Sequence, residues 1–135
     1  MQVYIQRVGA NGPPELLFRS PEAQNSDDWS RDGRHMLFSS QSPTNARDLW
    51  AIPVDASART PMAVAQTGAE ERNGAFSDDG AWVAYQSDET GTNEVYVRPF
   101  PDQDARGVSP RRAVSPRHIS GGPTARSCTT LSRGK

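Results

Sequence analysis

One cysteine, Cys128, and two histidines, His35 and His118, are all the thiol and imidazole groups in this 135-residue chain. A lone thiol closes no internal disulfide, and no Cys/His spacing matches a zinc site. No apolar run approaches the roughly 20 residues that a membrane-spanning helix needs. Nothing behind Met1 has the charged, apolar and small-residue order of a secretory leader, so no signal is expected within this chain. A Gly-x-Ser-x-Gly elbow, a Gly-rich phosphate loop, a kinase catalytic loop and a metal-binding helix are also missing. The expectation is therefore a non-enzymatic chain with no catalytic residue, cofactor or metal, and with ligand-binding residues unassigned.

What the chain does have is a segment that occurs twice and begins a third time. DWSRDGRHMLFSSQSPTNARDLWAIPV starts at Asp28 and AFSDDGAWVAYQSDETGTNEVYVRPF at Ala75, while Gln2 opens QVYIQRV, a copy of the last part alone. Gly33 recurs as Gly80, a period of 47 residues. A period of about 40–50 residues built from short strands marks a β-propeller.

Each unit divides on physical grounds. Trp29 and Phe76 precede Ser30 to Gly33 and Ser77 to Gly80, where an Asp-Gly pair favours a tight hairpin. Second strands follow through Met36, Leu37 and Phe38 and through Trp82, Val83, Ala84 and Tyr85. Polar loops at 41–47 and 88–93 lead to third strands at 48–54 and 94–100, each with a Pro near its end, where a lost donor is tolerable. Fourth, outer strands are expected at 61–66 and 15–19. Four strands per unit is what a blade requires. The two sheets, over 26–66 and 73–101, are expected to stack through some combination of Trp29, Phe38, Trp50, Phe76, Trp82, Tyr85 and Tyr96.

The pattern of an aromatic residue, Ser, a variable residue, Asp-Gly, an apolar strand, a polar loop and an apolar-aromatic pair resembles the WD40-like propeller repeat of TolB-type proteins. The resemblance covers about residues 1–104, with Arg31 and Asp78 standing where the repeat usually carries Pro. Asn93 to Pro101, NEVYVRPFP, is similar to propellers that follow the kinase domain of some bacterial serine/threonine protein kinases. Related propellers also precede the catalytic domain of prolyl-oligopeptidase-like peptidases. The resemblance implies an all-β partial propeller of about two and a half four-stranded blades. Residues 1–24 read as the second half of a blade, 25–70 as a complete blade, 71–106 as a partial one and 107–135 as a tail. A closed ring needs about four to eight blades, so the chain reads as a fragment of a longer propeller.

The function implied is a scaffold that binds a protein, peptide or small ligand, with no nucleic acid and no membrane segment involved. The alternatives are the sensor propeller of a serine/threonine kinase and the gating propeller of a serine peptidase, in either case without the catalytic domain. A periplasmic or other extracytoplasmic parent is compatible with the resemblance. Ser30 and Ser77 fall at matching turn positions and read as structural, and His35 as an edge or interface residue. Asp88, Glu89, Asn93 and Glu94 form a concentrated set of oxygen ligands, but the equivalent loop has only Asp48 as a carboxylate, so a solvated hairpin tip is expected. Asp27-Asp28 and Glu70-Glu71-Arg72 are placed ahead of the innermost strands, where they are candidates to line an acidic channel mouth suited to cationic peptides.

Charge divides the chain unevenly. Residues 1–105 hold all 16 acidic side chains and 8 arginines, a net −8, whereas residues 106–135 hold six Arg, one Lys and no acid, a net +7. A basic tail ordinarily points to an acidic partner, but this one has no aromatic residue and no Asp-Gly where another blade is due. Pro123 to Thr130 can be encoded CCG ACG GCA AGG AGT TGT ACT ACC; read from the third base, this spells DGKELYY, a turn and apolar strand as in both blades. The same frame through Val108 to Val114 permits VSTAGG, an outer strand and interblade loop. A reading-frame shift near Arg106 to Val108 accounts for both strings, and it makes the tail a disordered segment with no binding role. Sequencing the coding DNA is expected to show the Asp-Gly turn and apolar strand in the alternative frame. A stop codon there, or an unrelated string, returns priority to a basic interaction tail.

Overall fold

The computed structural model describes residues 2–44, 46–101 and 111–112. Their regular structure is entirely β, in ten strands and three antiparallel sheets. Strands β1 (Gln2–Ile5) and β2 (Glu15–Arg19) form the first sheet. Strands β3 (Gln24–Trp29), β4 (His35–Gln41), β5 (Arg47–Pro53) and β6 (Met62–Ala65) follow in simple order in the second. The third repeats that order with β7 (Arg72–Phe76), β8 (Trp82–Ser87), β9 (Glu94–Pro99) and β10 (Arg111–Arg112). The second and third sheets are each a meander in which neighbours in sequence are neighbours in space, the four-stranded unit of a propeller blade.

The hairpins joining inner and second strands show why both blades carry Ser-x-Asp-Gly. Ser30 Oγ donates to Asp32 Oδ1 at 2.6 Å, the N–H groups of Arg34 and His35 donate to Asp32 Oδ1 and Ser30 Oγ, and Gly33 N–H donates to the Ser30 carbonyl. Ser77, Asp79, Ala81, Trp82 and Gly80 repeat the pattern bond for bond. Gly33 and Gly80 take φ of 74° and 68°, where a side chain is strained. The Ser30 bond, with a second from Arg34 N–H, holds the Asp32 carboxyl below its usual range. Both serines are thus turn-formers, as expected from their spacing.

Packing between sheets makes the core. Leu37, Leu49, Ala51, Val64 and Ala65 of the second sheet bury against Val83, Tyr85, Tyr96 and Phe100 of the third. Met36, Phe38, Ile52 and Val54, on the opposite face of the second sheet, pack with Leu17 and the partly buried Val3, Ile5 and Phe18 of the first. Strand β7 slips beneath the second sheet at Gly74, where an added Cβ would lie 2.8 Å from Leu49 Cδ1 and 3.2 Å from Leu37 Cδ1. Glycine is required there by close approach, whereas Gly80 meets nothing and is required by its φ alone.

Two of the expected stacking aromatics sit differently. Trp29 and Trp82 keep 43% and 36% of their surface exposed, while Phe38, Tyr85 and Tyr96 are buried and Trp50 and Phe76 half-buried. The repeat explains it. Phe76, which matches Trp29, packs on Phe100 at 5.1 Å, and Phe100 in turn takes the edge of His35 from the preceding blade. Among the described residues, no strand of a preceding blade reaches Trp29 and none of a following blade reaches Trp82. His35 is the interface residue that its position suggested.

The disorder expected for 107–135 lies outside the described residues except at Arg111–Arg112. That pair hydrogen-bonds beside Val97 and Tyr96 as β10, at the outer-strand position of the third blade. Regular structure at this pair departs from the expectation. Ladder pairing uses backbone groups, so an edge position can be filled by residues whose side chains carry no strand pattern.

Gly74→Ala is expected to cost about 1–3 kcal/mol by overpacking against Leu49, and Gly80→Val about 1–3 kcal/mol by backbone strain. Chemical denaturation checks both, and Gly80→Asn, whose side chain tolerates positive φ, is expected to lose much less.

Candidate functional site: the acidic loop end and its interblade cleft

Strand register places the start of the inner strands, the β4–β5 and β8–β9 loops and the end of the outer strands at one end of the sheets, opposite the Ser-x-Asp-Gly hairpins. Glu22, Asp48, Glu70, Glu71, Asp88, Glu89 and Glu94 collect at this loop end, against Arg19, Arg47 and Arg72. The hairpin end mixes signs instead, with surface pairs Arg31–Asp78 at 3.4 Å and Arg34–Asp55 at 3.8 Å. Exposed pairs of this kind contribute little stability.

Several of the acids at the loop end are structural. Glu70 Oε2 accepts the Arg47 N–H at 3.1 Å, its Oε1 pairs with the Arg47 guanidinium at 3.4 Å, and its own N–H donates to Asp88 Oδ1 at 2.9 Å. Glu94 Oε2 accepts from Thr90 Oγ1 and Tyr96 Oη at 3.1 and 3.2 Å. Of the set Asp88, Glu89, Asn93 and Glu94, Glu94 thus braces its own loop and Asp88 ties that loop to the Glu70 backbone. Among the described residues, no three His, Cys, Asp or Glu side chains gather as a metal site.

Glu71 is fully buried at the start of the third blade. Thr67 donates its N–H at 3.3 Å and its hydroxyl to Oε1, and Oε2 has no hydrogen-bond partner among the described residues. Burial pushes its pKa up, with repulsion from Asp48 and Glu89 adding in the same direction. The residue 47 positions earlier is Gln24, also buried, which is a neutral solution to the same place in the fold. Burial likewise raises the Tyr85 phenol to about 12 and raises the Asp48 carboxyl, to which Gln66 donates at 3.5 Å.

Asp27 and Asp28 do not precede the innermost strand, as expected, but lie inside β3. Register shifts between Ser26 and Asp28 in β3 and between Arg72 and Ala75 in β7 are irregularities at matching repeat positions. They turn the two carboxylates onto the next blade. Asp28 Oδ2 accepts the Phe76 N–H at 2.8 Å. Asp27 is held by the Ser39 hydroxyl and by the backbone at Gly74 and Asn73, although burial still raises its pKa. Arg72, too, starts β7 instead of preceding it. Of the residues considered for a channel mouth, Glu70 and Glu71 are ahead of their strand, Glu71 being buried, and Asp27 and Asp28 are interblade fasteners.

An open cleft of about 270 Å³ lies at this end between the first and second sheets, lined by Phe18, Ser20, Glu22, Gln24, Phe38, Ser40, Trp50 and Pro61. Nothing in the spacing pointed to it, because its walls come from four separated stretches of chain. The 47-residue offset that relates Gln24 to Glu71 was the available signal for the buried polar pair. His35, packed on Phe100, and Ser30 and Ser77, bonded to Asp32 and Asp79, assemble no nucleophile–base pair.

Solved structures contain the same architecture. The chain superimposes on a protein assigned as TolB from Agrobacterium tumefaciens with a TM-score of 0.61 and 18% identity, covering 75% of this chain and 33% of that one. The fold is therefore a TolB-like β-propeller sector, and the chain spans about a third of that protein's length. No protein-family profile matches the chain. No curated protein matches it either.

Charge removal at Glu71 tests the buried site. A carboxyl whose folded pKa is raised supports the fold most fully below its unfolded pKa, and that support is lost as pH rises through the folded value. Glu71→Gln keeps an oxygen for Thr67 and is expected to raise the denaturation midpoint at pH 7. Below the ordinary carboxyl value of 4.5 the variant and parent should converge.

Proposed function

We propose that this chain is a non-catalytic sector of a β-propeller that serves as a scaffold for a protein or peptide partner, received at the acidic loop end. The supporting observation is the asymmetry of charge, with carboxylates crowded at the loop end and balanced pairs at the hairpin end. A predominantly negative surface attracts cationic segments over a Debye length of about 8–10 Å at physiological salt. In a longer protein the same scaffold fits a sensor propeller behind a bacterial serine/threonine kinase domain, a reading supported by the similarity of Asn93 to Pro101. Fold alone does not choose a partner, so the loop end carries the proposal.

A fluorescent Arg/Lys-rich decapeptide is expected to bind the chain with an affinity that falls as salt rises. Glu89→Lys with Asp88→Asn should weaken it several-fold, whereas Asp55→Asn at the hairpin end should leave it unchanged. Equal weakening by both changes, or no binding at low salt, overturns the loop-end assignment. No hydrolase or kinase turnover is expected from the isolated chain, and turnover abolished by one point substitution overturns the non-catalytic reading.

A further inference from the structure

The cleft between the first and second sheets is walled unlike the matching place one blade on. Phe18 and Phe38 stand with ring centroids 5.3 Å apart and planes at 42°, and Trp50 and Pro61 continue the wall. At the next interface the corresponding residues are Ala65, Tyr85 and Tyr96, and the two tyrosine rings stack on each other at 5.9 Å and 25°. Phe18, which stands where the next blade has Ala65, is therefore an added aromatic. At the mouth, Glu22 accepts a hydrogen bond from Ser40 Oγ at 3.1 Å, which fixes a carboxylate beside the aromatic wall. Asp48, opposite Ser40 in the β4–β5 register, is close enough to Glu22 for the two carboxylates to repel.

Two half-buried aromatic rings, Phe18 and Trp50, beside the buried Phe38 and with a carboxylate at the mouth, form a constellation that attracts an organic cation. The ring faces carry negative quadrupole density, the attraction strengthens as water is excluded, and the carboxylate supplies the counter-charge. At about 270 Å³ the cleft is below the roughly 300 Å³ at which small-molecule pockets begin, so it suits one side chain better than a cofactor.

We propose that this cleft binds an alkyl-linked cation, a guanidinium or methylated ammonium, with its stem along Pro61 and its charged head against Phe18 and Trp50 under Glu22. The assignment rests on the loop end as the peptide-receiving surface and names the anchor within it.

The test uses the full chain and small probes. Nα-acetyl-arginine amide, Nα-acetyl-trimethyllysine amide and the neutral Nα-acetyl-norleucine amide are titrated while the three tryptophan indole N–H signals are followed by NMR, Trp50 being assigned from Trp50→Phe. A cationic probe is expected to shift the Trp50 signal saturably and to bind about tenfold or more tighter than norleucine amide. Whichever of the two cations binds tighter identifies the headgroup. Glu22→Gln, at an exposed position and retaining an oxygen for Ser40, should weaken the cation several-fold and leave norleucine amide unaffected. Arg31→Ala at the hairpin end should change neither. Norleucine amide binding as well as the cations makes the cleft an apolar groove and overturns the proposal, as does the absence of a saturable Trp50 shift. If the decapeptide still binds in that case, the scaffold reading survives without this anchor. A Trp50 shift with no decapeptide binding keeps the cleft and removes the scaffold reading.

Discussion

A four-stranded sheet has two faces, and each blade of this chain buries its apolar face only by giving it to a neighbour. Leu37, Leu49 and Ala51 point one way from the second sheet, and Met36, Phe38 and Ile52 point the other. Neither set has a partner within its own sheet, so strand pairing alone would leave both in water. Face-to-face contact therefore decides which side chains are core, which are rim and which remain open. It also explains the exposed aromatics. Tyr4 and Val95, 53% and 43% exposed, lie on the outward faces of the first and third sheets, where the described residues provide no further layer.

Polar groups fasten what apolar contact brings together. Asp28 reaches the Phe76 backbone and Asp27 meets Ser39 and the β7 backbone, so the irregularities of β3 and β7 turn lost ladder pairing into bonds between blades. The contact is tight enough that Gly74 is the residue its geometry admits. Glu71 sits in the same interface without full satisfaction, and its neutral counterpart Gln24 shows that the fold does not require a charge there. Burying a carboxylate is unfavourable unless it is bonded or protonated. The loop end is in this respect divided between acids committed to the scaffold, such as Glu70 and Glu94, and a cleft whose carboxylate stands beside aromatic rings.

Much of this architecture was legible in the residues. Spacing of Gly33 and Gly80 located both hairpins, alternation located the strands, and the shared Pro53 and Pro99 marked strand ends. These features depend on neighbours in sequence: a turn needs positive φ at one residue, and a pleated strand alternates its side chains whatever lies opposite. The Ser-x-Asp-Gly bonds close within five residues, which is why their structural role could be read from spacing.

Interfaces were not legible to the same degree. Trp29 and Trp82 looked like core by type and are open because no described strand covers them, while Asp27 and Asp28 looked like a channel rim and are fasteners between sheets. Phe18, Glu22, Phe38, Trp50 and Pro61 share a cleft although they are spread over more than forty residues of chain. By itself the sequence determined an all-β repeat, its period, its turns and the order of its strands, because each follows from local backbone geometry and alternation. Only the tertiary structure decided which carboxylates lie between blades, which aromatics meet and where a cleft opens, because those depend on how two sheets approach one another.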